Sequence, residues 1–254
     1  MESWISILLF CIVILLANIM QGITGFAGTI LAMPASLMLV GYDVAKPVLN
    51  VLGILGGLYV LILNRRDVVW KELLKVCLVM LCGIIAGIFV KRFTAGKEHW
   101  LYIALGIFII MLSVQRMIQL FLRTKPAEEN KVQKKKISYV IDGIVLISAG
   151  LVHGLFVCGG PLLISYLSKT LTDRKQFRAT ISTVWIFLNS FILVTDIVQG
   201  CWSVHLLIIL GITIPFLLAA LKIGSVLYAH MNQKVFMITT YVLLFISGLS
   251  LLIK

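Results

Sequence analysis

The distribution of apolar runs constrains this chain more than any other feature. Eight long runs recur, at 4–20, 45–63, 72–90, 98–121, 137–157, 179–198, 203–221 and 235–253. Each approaches the roughly 20 residues that carry an α-helix across a hydrocarbon core. A bilayer offers the backbone no water, so such runs must satisfy their N–H and C=O groups within helices. Two shorter runs, 28–40 and 160–168, each follow a glycine cluster. The expected fold is an all-α polytopic membrane protein with eight long transmembrane helices and two short, glycine-initiated half-helices. Composition agrees: 61% of residues are hydrophobic and 13% charged, whereas soluble domains carry about 25% charged residues.

The opening "MESWISILLFCIVILL" lacks a basic n-region and a small-residue cleavage site. It reads as a first span rather than a signal peptide. The net charge of +12 does not point to nucleic acid. Most Lys and Arg cluster in short polar loops, where they set orientation and meet anionic headgroups. The expected surroundings are therefore the lipid bilayer of a cell membrane. Cys11, Cys77, Cys82, Cys158 and Cys201 fall in or beside apolar runs without a CxxC spacing. They read as small apolar fillers rather than disulfides or metal ligands.

One long hydrophilic stretch, "RTKPAEENKVQKKK", occupies 123–136 with six basic and two acidic residues. It cannot build a core and reads as a solvated linker. Its basic excess assigns it to the cytoplasm. It divides the chain into a first membrane repeat, 1–122, and a second, 137–254. A shift of 132 residues brings Gly22 onto Gly154, Gly28 onto Gly160, Lys46 onto Arg178, Trp70 onto Trp202 and Gln21 onto His153. Internal repeats of this kind are a plan of secondary transporters, with the site between repeats near the midplane. If the short runs cross the membrane, the repeats are inverted and fifteen loop Lys/Arg lie inside against five outside. If they do not cross, the repeats are parallel and the count is ten against ten. The positive-inside rule favours inversion.

The segments "ANIMQGITGFAG" and "AGLVHGLFVCGGPLL" interrupt their runs at equivalent places. Gly159-Gly160-Pro161 suits a helix start, with proline in the first turn. Gly28-Thr29 plays that part in the first half. A helix that starts inside a membrane leaves free N–H groups and a partial positive charge, which suit an anion. The other reading is close packing, since small residues let membrane helices approach. Recurrence in both halves, beside Gln21 and His153, favours the binding site.

"QGITGFAGTILAMP" and "HGLFVCGGPLLISYL" resemble the paired glycine-rich signatures of the TauE/SafE family of membrane transporters. The resemblance covers nearly the whole chain, including the two-half plan and the basic linker. Ala27 stands where the family has glycine, and Val157-Cys158 replaces a more glycine-rich stretch. The resemblance implies transport of small sulfur-containing anions such as sulfite or sulfonates.

The candidate substrate-binding residues are Gln21, Gly22, Thr24, Gly25, Gly28, Thr29, Asn50, His153, Gly154, Gly159, Gly160, Ser182 and Asn189. Polar groups in spans usually face the bundle interior or a cavity. Lys46 and Arg178 are candidate mouth charges that draw anions to a low-dielectric entrance. Asp142 and Asp196 lie near span ends and read as solvated. Deep carboxylates are scarce, which suits an anionic better than a cationic substrate and leaves proton or sodium coupling open.

There is no HExxH, no GxSxG and no paired carboxylate. An enzyme is therefore not expected, and no residue is assigned to catalysis, a metal or a cofactor. The alternative to a carrier is an anion channel or a structural membrane subunit. Substrate, direction of transport and oligomeric state are not encoded in these patterns.

Overall fold

The computed structural model describes residues 4–93, 136–157 and 159–252, with scattered positions between 103 and 118. The apolar run 98–121 lies largely outside the described residues, as does the linker 123–136 apart from Lys136. Among the described residues the chain is helical and contains no strand. The helices are α1 (Trp4–Thr24), α2 (Ala27–Val40), α3 (Tyr42–Asn64), α4 (Trp70–Phe93), α5 (Lys136–Phe156), α6 (Gly160–Thr170), α7 (Arg174–Val198), α8 (Val204–His230) and α9 (Gln233–Leu252). A single 3-10 turn, Arg65–Asp67, prolongs α3.

Five of these segments, built on α1, α3, α4, α7 and α8, are long and apolar enough to cross a bilayer. Their outward faces are apolar too. Leu74 and Leu78, one turn apart on α4, are 59% and 65% exposed, and Val198 on α7 is 82% exposed. Water would penalise so much exposed apolar surface, whereas lipid solvates it. The chain is a multi-pass membrane protein. The two short helices have 14 and 11 residues. At 1.5 Å per residue they reach only about 21 and 17 Å, less than a hydrocarbon core.

The breaks before the short helices are built alike. At the end of α1, Gly25 N–H donates to Gln21 O at 2.7 Å; at the end of α5, Val157 N–H donates to His153 O at 2.8 Å. Each closes its helix with a left-handed residue, the usual way to turn a chain out of a helix. Thr24 Oγ1 then accepts from Phe26 and Ala27 N–H at 3.4 and 3.2 Å. Where the chain re-enters at α7, Asp173 Oδ1 accepts from Lys175 and Gln176 N–H, both at 2.9 Å, an N-terminal cap.

Packing interleaves the two halves. α1 lies along α8, α4 along α5, and α3 against α7. The first two contacts rest on glycine. Gly83 on α4 faces Gly150 on α5, Gly87 lies against the Leu151 backbone, and a Cβ on Gly154 would lie 2.6 Å from Ile84 O. Gly22 meets Gly224 in the same way, at 3.0 Å from an added Cβ to Gly224 Cα. Two GxxxG faces thus let backbones touch, the membrane substitute for large apolar knobs. α3 and α7 are antiparallel. Lys46 near the start of α3 meets Asp196 near the end of α7, while Arg178 near the start of α7 meets Asn64 at the end of α3.

The solvated positions expected for Asp142 and Asp196 are corrected here. They are 7% and 2% exposed. Asp196 is turned inward onto Lys46 of α3 rather than out to solvent.

Candidate functional site

α1 and α5 stop inside the protein, and α2 and α6 start there. The starts are capped by equivalent side chains. Gln21 Oε1 accepts from Gly28 N–H at 2.8 Å. His153 Nδ1 accepts from Gly159 N–H at the longer distance of 3.5 Å. An accepting Nδ1 leaves the ring proton on Nε2, which then donates to Asn189 Oδ1 at 2.9 Å. His153 is 1% exposed and stacks at a tilt on Trp185, ring centroids 5.0 Å apart.

These groups surround one small pocket. Gln21, Thr29, His153, Gly160 and Asn189 line it, and they come from both halves of the chain. Phe26, Ile30, Gly53, Val157 and Trp185 complete the wall. The free space is about 10 Å³, room for about one water molecule. Trp185 is 6% exposed, and its Nε1–H has no hydrogen-bond partner among the described residues. Its Cζ2 edge lies 3.7 Å from where a Cβ on Gly160 would stand. A buried indole donor without a partner can hydrogen-bond an acceptor that a ligand brings.

The other sequence-derived candidates sit around this pocket rather than on its wall. Gly28 supplies a backbone N–H to Gln21. Gly159 packs against α5, where a Cβ would meet His153 Cβ at 2.8 Å. Thr24 caps the break, and Ser182 Oγ donates to Gly25 O at 3.3 Å. Asn50 Nδ2 donates to Asn189 O at 3.0 Å and orients that helix turn. Gly22 and Gly154 hold helix contacts.

Lys46 and Arg178 lie at opposite ends of the α3–α7 pair. Lys46 Nζ is 2.5 Å from Asp196 Oδ1 and lines a cavity of about 350 Å³. Arg178 is 2% exposed and fully engaged. It donates to Gly22 O from Nε and Nη2, to Ser225 Oγ at 3.0 Å and to Asn64 Oδ1 at 2.9 Å, and its guanidinium stacks 4.3 Å over Tyr228. Gly22 O is one of the carbonyls the broken helix leaves without an amide partner.

Sequence reasoning missed Trp185, Gly53, Val157 as a wall residue, and Asp196. Trp185 looks like any lipid-facing aromatic within an apolar run. Asp196 carried a usable signal: in the repeat register it corresponds to Asn64, the partner of Arg178.

A multi-pass helical protein whose two halves each bring an interrupted helix to a shared polar pocket is of the transporter class. More particularly, the chain belongs to the Sulfite exporter TauE/SafE family, whose model matches residues 10–251. Comparison with curated proteins and with solved structures finds no match.

Proposed function

We infer that this chain is a carrier of small sulfur-containing anions, sulfite or a related sulfonate, in a cell membrane. It is built of two inverted repeats, 1–122 and 137–254, joined by a cytoplasmic linker at 123–136. The antiparallel run of α3 against α7 supports inversion, because these helices occupy the same place in the two repeats. A two-fold relation between antiparallel spans has its axis in the membrane plane.

The observation that carries the reading is the convergence of two helix starts on one pocket, whose wall includes Trp185 with an indole N–H that has no partner among the described residues. Gln21 Oε1 and His153 Nδ1 accept from the N–H groups of Gly28 and Gly159. An oxyanion brings its own acceptors and can take their place. Rotation of the Gln21 amide would then present Nε2–H₂ to the anion. Thr29, Asn189 and the backbone at Gly160 complete the set, with Thr24, Gly25, Asn50 and Ser182 positioning the break. Lys46 serves as the mouth charge beside the larger cavity. Arg178 closes the opposite end.

A thermal-stability screen of the purified protein against sulfite, thiosulfate, methanesulfonate and acetate tests this. A ligand at 100 times its Kd adds about 2.7 kcal/mol. Sulfur oxyanions are expected to stabilise and acetate not. Stabilisation by none of the sulfur anions would overturn the assignment.

A further inference from the structure

The two ends of the α3–α7 pair follow one plan with different chemistry. Lys46 and Asp196 map onto Arg178 and Asn64 by the repeat shift of 132, and both pairs bond. At the Arg178 end the partner is a neutral amide, and the cation also holds Gly22 O. At the Lys46 end the partner is a carboxylate. Gly154, the counterpart of Gly22, there faces the cavity of about 350 Å³, together with Thr195 and the exposed Gln199.

Asp196 is 2% exposed, and its Oδ2 has no hydrogen-bond partner among the described residues. The described charged and titratable groups that share its cavities are Lys46, Asp43 and Tyr42 from α3 and Cys201 beyond α7. Asp196 therefore occupies the place an anion would take on Lys46. An anion that binds Lys46 leaves the carboxylate buried and unpaired. A buried, unpaired charge is neutralised by a proton rather than kept. The proton comes from water in the cavity and forms an O–H bond at Oδ2. Lys46 keeps its protons and exchanges one negative partner for another. Asp196 stands seven residues from Asn189 on α7, about 10 Å of helix rise, so the pair lies on the way to the pocket.

We propose that Lys46 and Asp196 form a proton-coupled anion station, in which a small sulfur oxyanion takes Lys46 as Asp196 takes a proton, so that one proton accompanies each anion. The proposal rests on the carrier reading. The test uses the full-length protein in liposomes with radiolabelled sulfite. Counterflow at equal pH and accumulation under an acid exterior are both measured against protein-free liposomes, because protonated sulfite species cross bilayers unaided. Wild type is expected to show both. Asp196→Asn is expected to retain slower counterflow while its pH-driven accumulation falls to the protein-free level; Asp196→Glu restores accumulation. If Asp196→Asn fails to fold, the double variant Lys46→Gln/Asp196→Asn, which leaves no unpaired charge, is expected to lose pH-driven accumulation. Accumulation at the wild-type level in either folded variant would overturn the station. Wild-type counterflow without pH-driven accumulation would overturn it too and leave the carrier reading standing. Absence of wild-type counterflow with both labelled sulfite and labelled methanesulfonate would overturn the carrier reading itself.

Discussion

Gly25 and Val157 share one backbone state at equivalent breaks, with left-handed φ of 85° and 56°. Each donates its N–H to the carbonyl four residues before it. Glycine adopts this state freely, whereas a β-branched residue is a strained outlier there. The two breaks thus share one geometry although one half has valine where the other has glycine. Strain held at a pocket wall belongs with function rather than with packing alone.

Substitution at Gly25 should therefore be costly. An added Cβ would lie 2.6 Å from Ser182 Oγ and 3.0 Å from Arg178 O, with φ still positive. Gly25→Ala is expected to destabilise by about 1–3 kcal/mol for the backbone alone. Gly143→Ala, where a Cβ meets nothing within 4 Å, should not destabilise. Melting curves of both variants in detergent check this; equal melting temperatures would contradict it.

Much of this architecture is legible in the residues. Apolar runs locate α1, α3, α4, α7 and α8, because a bilayer leaves the backbone few alternatives. Gly28 and Gly160, set in the register of 132, point to the two helix starts. What sequence does not carry is pairing between distant segments. Gly22 looked like a site glycine until Gly224 came to face it. Asp196 reads as solvated in sequence, yet Lys46 meets it from α3. Trp185 acquires meaning only from its unpaired Nε1 beside His153.

His153 on α5 and Asn189 on α7, both from the second repeat, share one hydrogen bond of 2.9 Å at the pocket wall. A double-mutant cycle of His153→Ala and Asn189→Ala should report a coupling of about 0.6 kcal/mol, the average for hydrogen bonds between membrane helices, and no more than about 1.7 kcal/mol. Unfolding in mixed micelles measures it. Strict additivity would mean that the bond contributes nothing to the folded state.

Topology follows from the same two-fold plan. The linker 123–136 is expected in the cytoplasm and both termini outside, since fifteen loop Lys/Arg then lie inside and five outside. A reporter fused after Lys254 decides this. A cytoplasmic signal would contradict inverted repeats.

Gly160 offers the most direct access to the central claim that the helix starts hold an anion. A Cβ on Gly28 would crowd Asn18 Oδ1 and Gln21 Cβ, both at 2.9 Å, so that site confounds binding with folding. A Cβ on Gly160 meets only the flexible tip of Ile30, at 2.6 Å, before Trp185 at 3.7 Å. The protein can yield there, yet the methyl group enters a pocket with about 10 Å³ to spare. The deciding measurement is the melting shift produced by sulfite in wild type and in Gly160→Ala. Gly160→Ala is expected to melt near wild type without sulfite and to lose the sulfite-induced shift. A folded Gly160→Ala protein with the full wild-type shift would contradict it.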